Sequence, residues 1–189
     1  MQFNSADGLP RLTRAVLGEL REKISEFVAA PDLRGAVITG TDKCFSAGAE
    51  LTEIAALNGT EALRFSLFGQ SVMAAIERSP TPIIAAIRGY CMGGGFDLAL
   101  ACHMRIAAPD AVLAHRGAAL GIITGWGGTQ RLPRVLGPGG SAIAREIMLT
   151  SREVRAPEAF DLKLISRIVA TEKLIDEACA MAAGPKLRG

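Results

Sequence analysis

Apolar residues recur every three or four positions at Leu9, Leu12, Val16, Leu20, Ile24, Phe27 and Val28. That spacing predicts a helix with one buried stripe. Asp7 stands where it can cap the start, Pro10 falls in the first turn, and Pro31-Asp32 ends the run. The pattern then changes to short unbroken apolar runs. Residues 35–39 and 82–87 read as buried strands, with two more at 105–108 and 165–169. Residues 40–51, rich in small side chains, read as a loop. Helical spacing returns at 61–77, 96–101, 129–136, 141–149, 156–162 and 172–183. Strands alternating with helices predict an α/β fold, helix-rich from about residue 129.

Composition narrows the picture. The 189 residues suit one domain, and 49% apolar against 21% charged residues predicts a globular chain. Aromatics make up only 5%, so the core must be aliphatic. A net charge of +2 does not point to nucleic acid as a partner, although Arg131, Arg134, Arg145, Arg152 and Arg155 cluster late. No run approaches the length of a membrane span, and the first residues lack a signal-peptide pattern. Cys44, Cys91, Cys102 and Cys179 show no metal spacing and read as reduced thiols. The expectation is a soluble cytoplasmic protein without a metal site.

Two passages carry candidate chemistry. CFSAGAEL at 44–51 and GYCMGGGFDL at 89–98 each follow a predicted strand and offer small residues where a ligand can approach the backbone. The second also opens a helix, whose first N–H groups lack partners within it. One N–H from each loop can bind a carbonyl oxygen that becomes an enolate. Glycine triplets also serve tight turns and close packing, and that reading stays open. No Gly-Lys-Ser/Thr follows, and the GxGxxG spacing is absent, so neither nucleotide motif fits.

FSAGAEL at 45–51 resembles the first oxyanion motif of the crotonase superfamily, the enoyl-CoA hydratase/isomerase family. PIIAAIRGYCMGGGFDLALAC at 82–102 resembles the second, and LGIITGWGGTQRLPRVLG at 120–137 the segment after the second catalytic position. MLTSREVRAPEAFDLKLISRIV at 148–169 continues the likeness, which runs from about Phe3 to Ala183. The resemblance implies a spiral of ββα units with C-terminal helices, in a single domain over 1–189 that lacks the family's first strand and last helices. It implies an acyl-CoA substrate, a homotrimer or dimer of trimers, and no cofactor beyond the coenzyme A of the substrate. Carried over by position, Ala49 and Gly94 supply the oxyanion N–H groups and Asp97 is the first catalytic carboxylate. Ala47 meets the adenine, and Gly48, Glu50, Leu51, Thr52 and Gly93 complete the substrate site.

The sequence departs from the family at its acid–base pair. Asp97 stands where hydratases carry glutamate, and the second glutamate position holds Gly117, which has no side chain. His115 and Arg116, just upstream, are candidate substitutes, or else a packed histidine and a surface cation. Gly125 occupies the aspartate position of the dienoyl-CoA isomerases and aromatic dehalogenases, which weakens both of those readings. His103 reads as structural, and Trp126 as an acyl-packing or an ordinary buried aromatic. The leading expectation is an enoyl-CoA hydratase-type lyase or isomerase. Alternatives are an acyl-CoA hydrolase or decarboxylase, and a non-catalytic acyl-CoA-binding or assembly subunit.

Overall fold

Every residue of the run Ile83–Ile87 is fully buried in the computed structural model, which describes residues 1–184. Such a run needs cover on both faces, as parallel sheets have. Strand β1 is Arg11–Leu12, β2 Ala36–Thr39, β3 Cys44–Ser46, β4 Gly48–Ala49, β5 Ile83–Ile87 and β6 Tyr90–Met92. After them come β7 Met104–Ala107, β8 Val112–Ala114, β9 Val154–Arg155 and β10 Arg167–Ile168. One sheet has the order β10-β7-β5-β2 and is wholly parallel. A second has the order β3-β6-β8-β9, with only β9 antiparallel.

The helices are α1 Arg14–Ala29, α2 Leu51–Ala55, α3 Gly59–Glu77, α4 Gly94–Ala101, α5 Gly128–Leu136, α6 Gly140–Thr150, α7 Ala156–Asp161 and α8 Leu174–Ala183. Each turn of the chain therefore lays one strand in the first sheet and the next in the second, then adds a helix. The units β2-β3-α3, β5-β6-α4 and β7-β8-α5 repeat this spiral. Alternation along β5 divides the core. Ile83, Ala85 and Ile87 join the main cluster between the layers, whereas Ile84 and Ala86 face Leu174, Ala178 and Ala182 of α8.

Two expectations are corrected. Asp7 does not cap α1. Its carboxylate accepts from Leu9 N (2.9 Å) and pairs with Arg11 (2.7 Å), and the helix begins at Arg14 with Thr13 as its cap. The cause is pairing: Arg11 and Leu12 lie in register with Gly48 and Ala49, which holds residues 11–12 extended. For the same reason 40–51 is not one loop, since it contains β3 and β4. The short strands β6 and β8 were not evident from periodicity. At the edge of the first sheet, Phe3 N donates to Thr39 O (2.9 Å) and Thr39 N to Met1 O (3.0 Å), so residues 1–3 run beside β2.

The late arginines are largely committed to carboxylates, with Arg131 on Glu77, Arg152 on Glu146 and Glu158, and Arg155 on Glu153. No helix among the described residues is long and apolar enough to cross a membrane. Burial pushes the Cys44 thiol up to about 11 and that of Cys102 to about 12, so these cysteines are inert packing groups.

Candidate active site

The two glycine-rich passages meet because their backbones come closer than side chains permit. Gly48 has φ 95°, and a Cβ there would lie 2.7 Å from Met92 O and 3.1 Å from Gly94 N. A Cβ on Gly94 would lie 3.3 Å from Ala49 N and would overlap the Trp126 ring. Gly93, also at positive φ, donates its N–H to Ala114 O (2.8 Å), which ties the start of α4 to β8. The amides of Ala49 and Gly94 are thereby brought side by side at one wall of a cavity of about 550 Å3. Ala47, Gly48, Ala49, Leu51, Gly93, Gly94, Asp97, His115, Arg116 and Gly117 all line that cavity.

Glu50 and Thr52 do not line it. Glu50 caps α2, accepting from Thr52 N (3.2 Å) and the Thr52 hydroxyl (3.0 Å), and it faces Arg11 at 3.7 Å. Its carboxylate is thus engaged by α2 and Arg11.

Asp97 lies one turn beyond Gly94 on α4 and is fully buried. Its Oδ2 accepts a hydrogen bond from the Thr124 hydroxyl. Its Oδ1 stands 3.4 Å from His115 Nε2, and both of these atoms are buried without a hydrogen-bond partner among the described residues. The His115 ring stacks on Phe96 (centroids 4.9 Å, planes 28° apart). Burial dominates the titration of both groups. It pushes Asp97 up to about 6, against the opposing pull of the Thr124 hydroxyl, the Arg131 charge and the backbone N–H groups of Trp126 and Gly128, which approach the carboxylate without meeting strict hydrogen-bond geometry at Oδ1, and pushes His115 down to about 4.

Residues the sequence did not single out complete the wall. Gly128, first in α5, carries no Cβ because one there would overlap Asp97 Oδ1 and lie 2.8 Å from His115 Nε2. Thr124 lines the cavity beside Asp97 and donates its hydroxyl to that carboxylate. Arg131 bonds Trp126 O (3.0 Å) and Glu77 (2.8 Å), which fixes the turn that carries Trp126. Trp126 packs edge-on to Phe65 (5.4 Å, 78°), wedged between Gly69 and Gly94, and forms part of the cavity lining. Gly125 uses its carbonyl to accept from Ser66 and Gln70, both 2.8 Å.

Gly117 lies at the second catalytic position expected from the sequence, and its carbonyl accepts from Leu120 N and Ile122 N. A Cβ there would meet Ile122 O at 2.7 Å, so the turn is shaped to glycine. His103 is structural: Nδ1 accepts from Ile83 N (3.1 Å), and Nε2 lies 3.1 Å from Ser79 O. Among the described residues no His, Cys, Asp and Glu cluster has the makings of a metal site. The arrangement offers two backbone donors for an oxyanion, an apolar space beside them, and a buried carboxylate of raised pKa.

Comparison with known proteins agrees with this geometry. The family profile described as Enoyl-CoA hydratase/isomerase matches residues 1–184. The chain is 36% identical over 183 residues to the crotonyl-CoA hydratase of Syntrophomonas wolfei, covering 96% of this chain and 69% of that protein. It is 41% identical over 174 residues to a probable enoyl-CoA hydratase of Bacillus subtilis, covering 91% and 66%. The crystal structure of an enoyl-CoA hydratase from Bacillus anthracis superposes with a TM-score of 0.88 at 36% identity, covering 96% of this chain and 69% of that one. The chain thus spans about two thirds of the length of these relatives. A profile match over nearly the whole sequence, on a spiral that brings both motifs to one cavity, places this chain in the enoyl-CoA hydratase/isomerase family.

Proposed function

We propose that the protein adds water across the double bond of a 2-enoyl-CoA thioester to give the 3-hydroxyacyl-CoA. The observation that carries this reading is the convergence of the Ala49 and Gly94 amides beside Asp97 at one apolar cavity. The two N–H groups polarise the thioester carbonyl. As the water oxygen bonds to the β-carbon, the π electrons move onto the thioester oxygen, where preorganised donors stabilise them best. Asp97 takes the water proton, and return of that proton to the α-carbon as the enolate collapses completes the addition and restores the carboxylate. Nothing in this route calls for a cofactor beyond the coenzyme A that the substrate carries.

The test is the loss of conjugated enoyl-thioester absorbance with crotonyl-CoA, with the product identified. Appearance of the 3-hydroxyacyl thioester is the expected outcome. Release of free thiol would mark hydrolysis, carbon dioxide would mark decarboxylation, and either would replace this reading.

The same proposal includes a cytoplasmic homotrimer or dimer of trimers. Leu120, Ile122, Ile123 and Leu149 ring the cavity mouth with 40–76% of their surface exposed, more apolar surface than a lone subunit keeps without use. Sedimentation is expected to give a mass of three or six chains, and a monomer would overturn it.

A further inference from the structure

Arg116 lines the cavity and is the only lysine or arginine that does so among the described residues. Arg131, Arg152, Arg155 and Arg167 each pair with a carboxylate elsewhere. Arg116 enters no ion pair among the described residues. Gly117, next in the chain, brings no carboxylate to neutralise it. One guanidinium N–H reaches Ser151 O at 3.5 Å, the outer limit of a hydrogen bond, and the other donors stay open.

Local structure holds this cation where it is. Ser151 ends α6 in the left-handed conformation, at φ 54°, which a serine adopts rarely. From there its carbonyl faces Arg116, and its Oγ accepts from Ala119 N (3.1 Å). The buried Ser151 thus clamps residues 116–119 to the end of α6. Ala118, Leu120, Met148 and Leu149 supply apolar wall on that side of the cavity. A guanidinium with open donors suits a carboxylate, whose two oxygens match its planar fork. The charge balance of the cavity favours an anion for a second reason. Glutamates at positions 97 and 117 would present two negative charges to a ligand. Here Asp97 is the only carboxylate in the lining, and Arg116 offsets it.

Resting on the hydratase reading above, we propose that Arg116 selects an acyl group that ends in a carboxylate, so that the substrate is the coenzyme A monothioester of an unsaturated dicarboxylic acid. The thioester oxygen lies at the Ala49 and Gly94 amides, the chain crosses the apolar cavity, and its far carboxylate meets the guanidinium. The product is the 3-hydroxy form of the same monothioester. The far carboxylate takes no part in bond making, so Arg116 determines specificity and not chemistry. A phosphate of coenzyme A is the other anion within the ligand that a guanidinium can hold. That phosphate is common to every thioester and cannot distinguish one acyl group from another.

The experiment measures kcat/KM for 4-carboxybut-2-enoyl-CoA, 5-carboxypent-2-enoyl-CoA and the neutral hex-2-enoyl-CoA, in wild type, Arg116→Met and Arg116→Lys. Methionine keeps an apolar stem and removes the charge. Wild type should favour one of the diacid thioesters over the neutral one by roughly tenfold or more, the scale of a charge-assisted pair. Arg116→Met should lose that preference, and Arg116→Lys should keep part of it. Added salt should shrink the preference, because Arg116 is exposed. A wild type that hydrates hex-2-enoyl-CoA at least as well as both diacid thioesters overturns the proposal and leaves the hydratase reading intact. An Arg116→Met enzyme that loses the same factor on all three substrates also overturns it, and assigns Arg116 to a coenzyme A phosphate. A wild type that hydrates none of them overturns the hydratase reading. The carboxylate seat is then judged by calorimetry with the saturated glutaryl-CoA and hexanoyl-CoA. Tighter binding of glutaryl-CoA by wild type, lost in Arg116→Met, retains the seat, and equal binding of the two ligands overturns it.

Discussion

Asp97→Asn should reduce kcat for crotonyl-CoA by roughly a thousandfold, within the usual range for a lost general acid–base group, and should make the protein more stable at neutral pH. The two effects share one cause. Asparagine keeps the shape and can still meet the Thr124 hydroxyl, but it cannot take a proton from water. The carboxylate is fully buried, and burial raises its pKa from 3.8 to about 6. A group whose folded pKa is raised binds more protons folded than unfolded between these values, so stability falls as pH rises through that window. Above about pH 6 the folded protein carries the full penalty, on the order of 3 kcal/mol by the pKa difference. Below about pH 4 the penalty is gone. Urea unfolding at pH 7.5 should therefore favour the Asn variant, and the advantage should vanish on acidification. An active Asn variant would remove Asp97 from the chemistry. An inactive one no more stable than wild type would mean that the carboxylate's burial is offset by contacts that asparagine loses.

The parts of this site that were legible in the sequence are those written locally. Small residues after a strand, and glycines that open a helix, state a backbone requirement in each of the two loops, and the family resemblance assigns its amides to Ala49 and Gly94. Asp97, three residues after Gly94, then lies one turn further along the same helix. The Asp97–His115 contact was not legible, because two strands and their pairing lie between those residues. Only the register of β6 with β8 brings His115, just past β8, opposite α4. Thr124 and Gly128 carry ordinary sequence signals, and their roles exist only once the Gly121–Gly127 turn folds over the carboxylate. Glu50 and Thr52 mislead for the opposite reason: adjacency to Ala49 suggests a shared wall, but α2 begins between them and uses the Glu50 side chain as its cap. Asp7 misleads likewise, because a parallel pairing partner far along the chain overrides a good local capping signal.

Gly94→Ala tests the other half of the mechanism and should be nearly as damaging. The added methyl would overlap the Trp126 ring, whose Cε3 would stand 2.7 Å away, and would crowd Ala49 N at 3.3 Å. Trp126 has no room to yield, because its far edge already fills the space that a Cβ on Gly69 would need. The first turn of α4 must therefore shift, carrying the Gly94 N–H away from the Ala49 N–H. Removal of one oxyanion donor costs about 10²–10³-fold in kcat, and overpacking costs about 1–3 kcal/mol of stability. Asp97 lies in that same first turn, so the pH dependence of the residual activity should shift as well. Gly59→Ala is the control: nothing lies within 4 Å of its Cβ position on α3, so kcat should be unaffected and stability equal or slightly higher. Replacing Trp126 with leucine in the Gly94→Ala background makes room for the methyl and should restore part of both losses. An enzyme that hydrates crotonyl-CoA at full rate with alanine at 94 would show that the thioester oxygen is held elsewhere in the cavity.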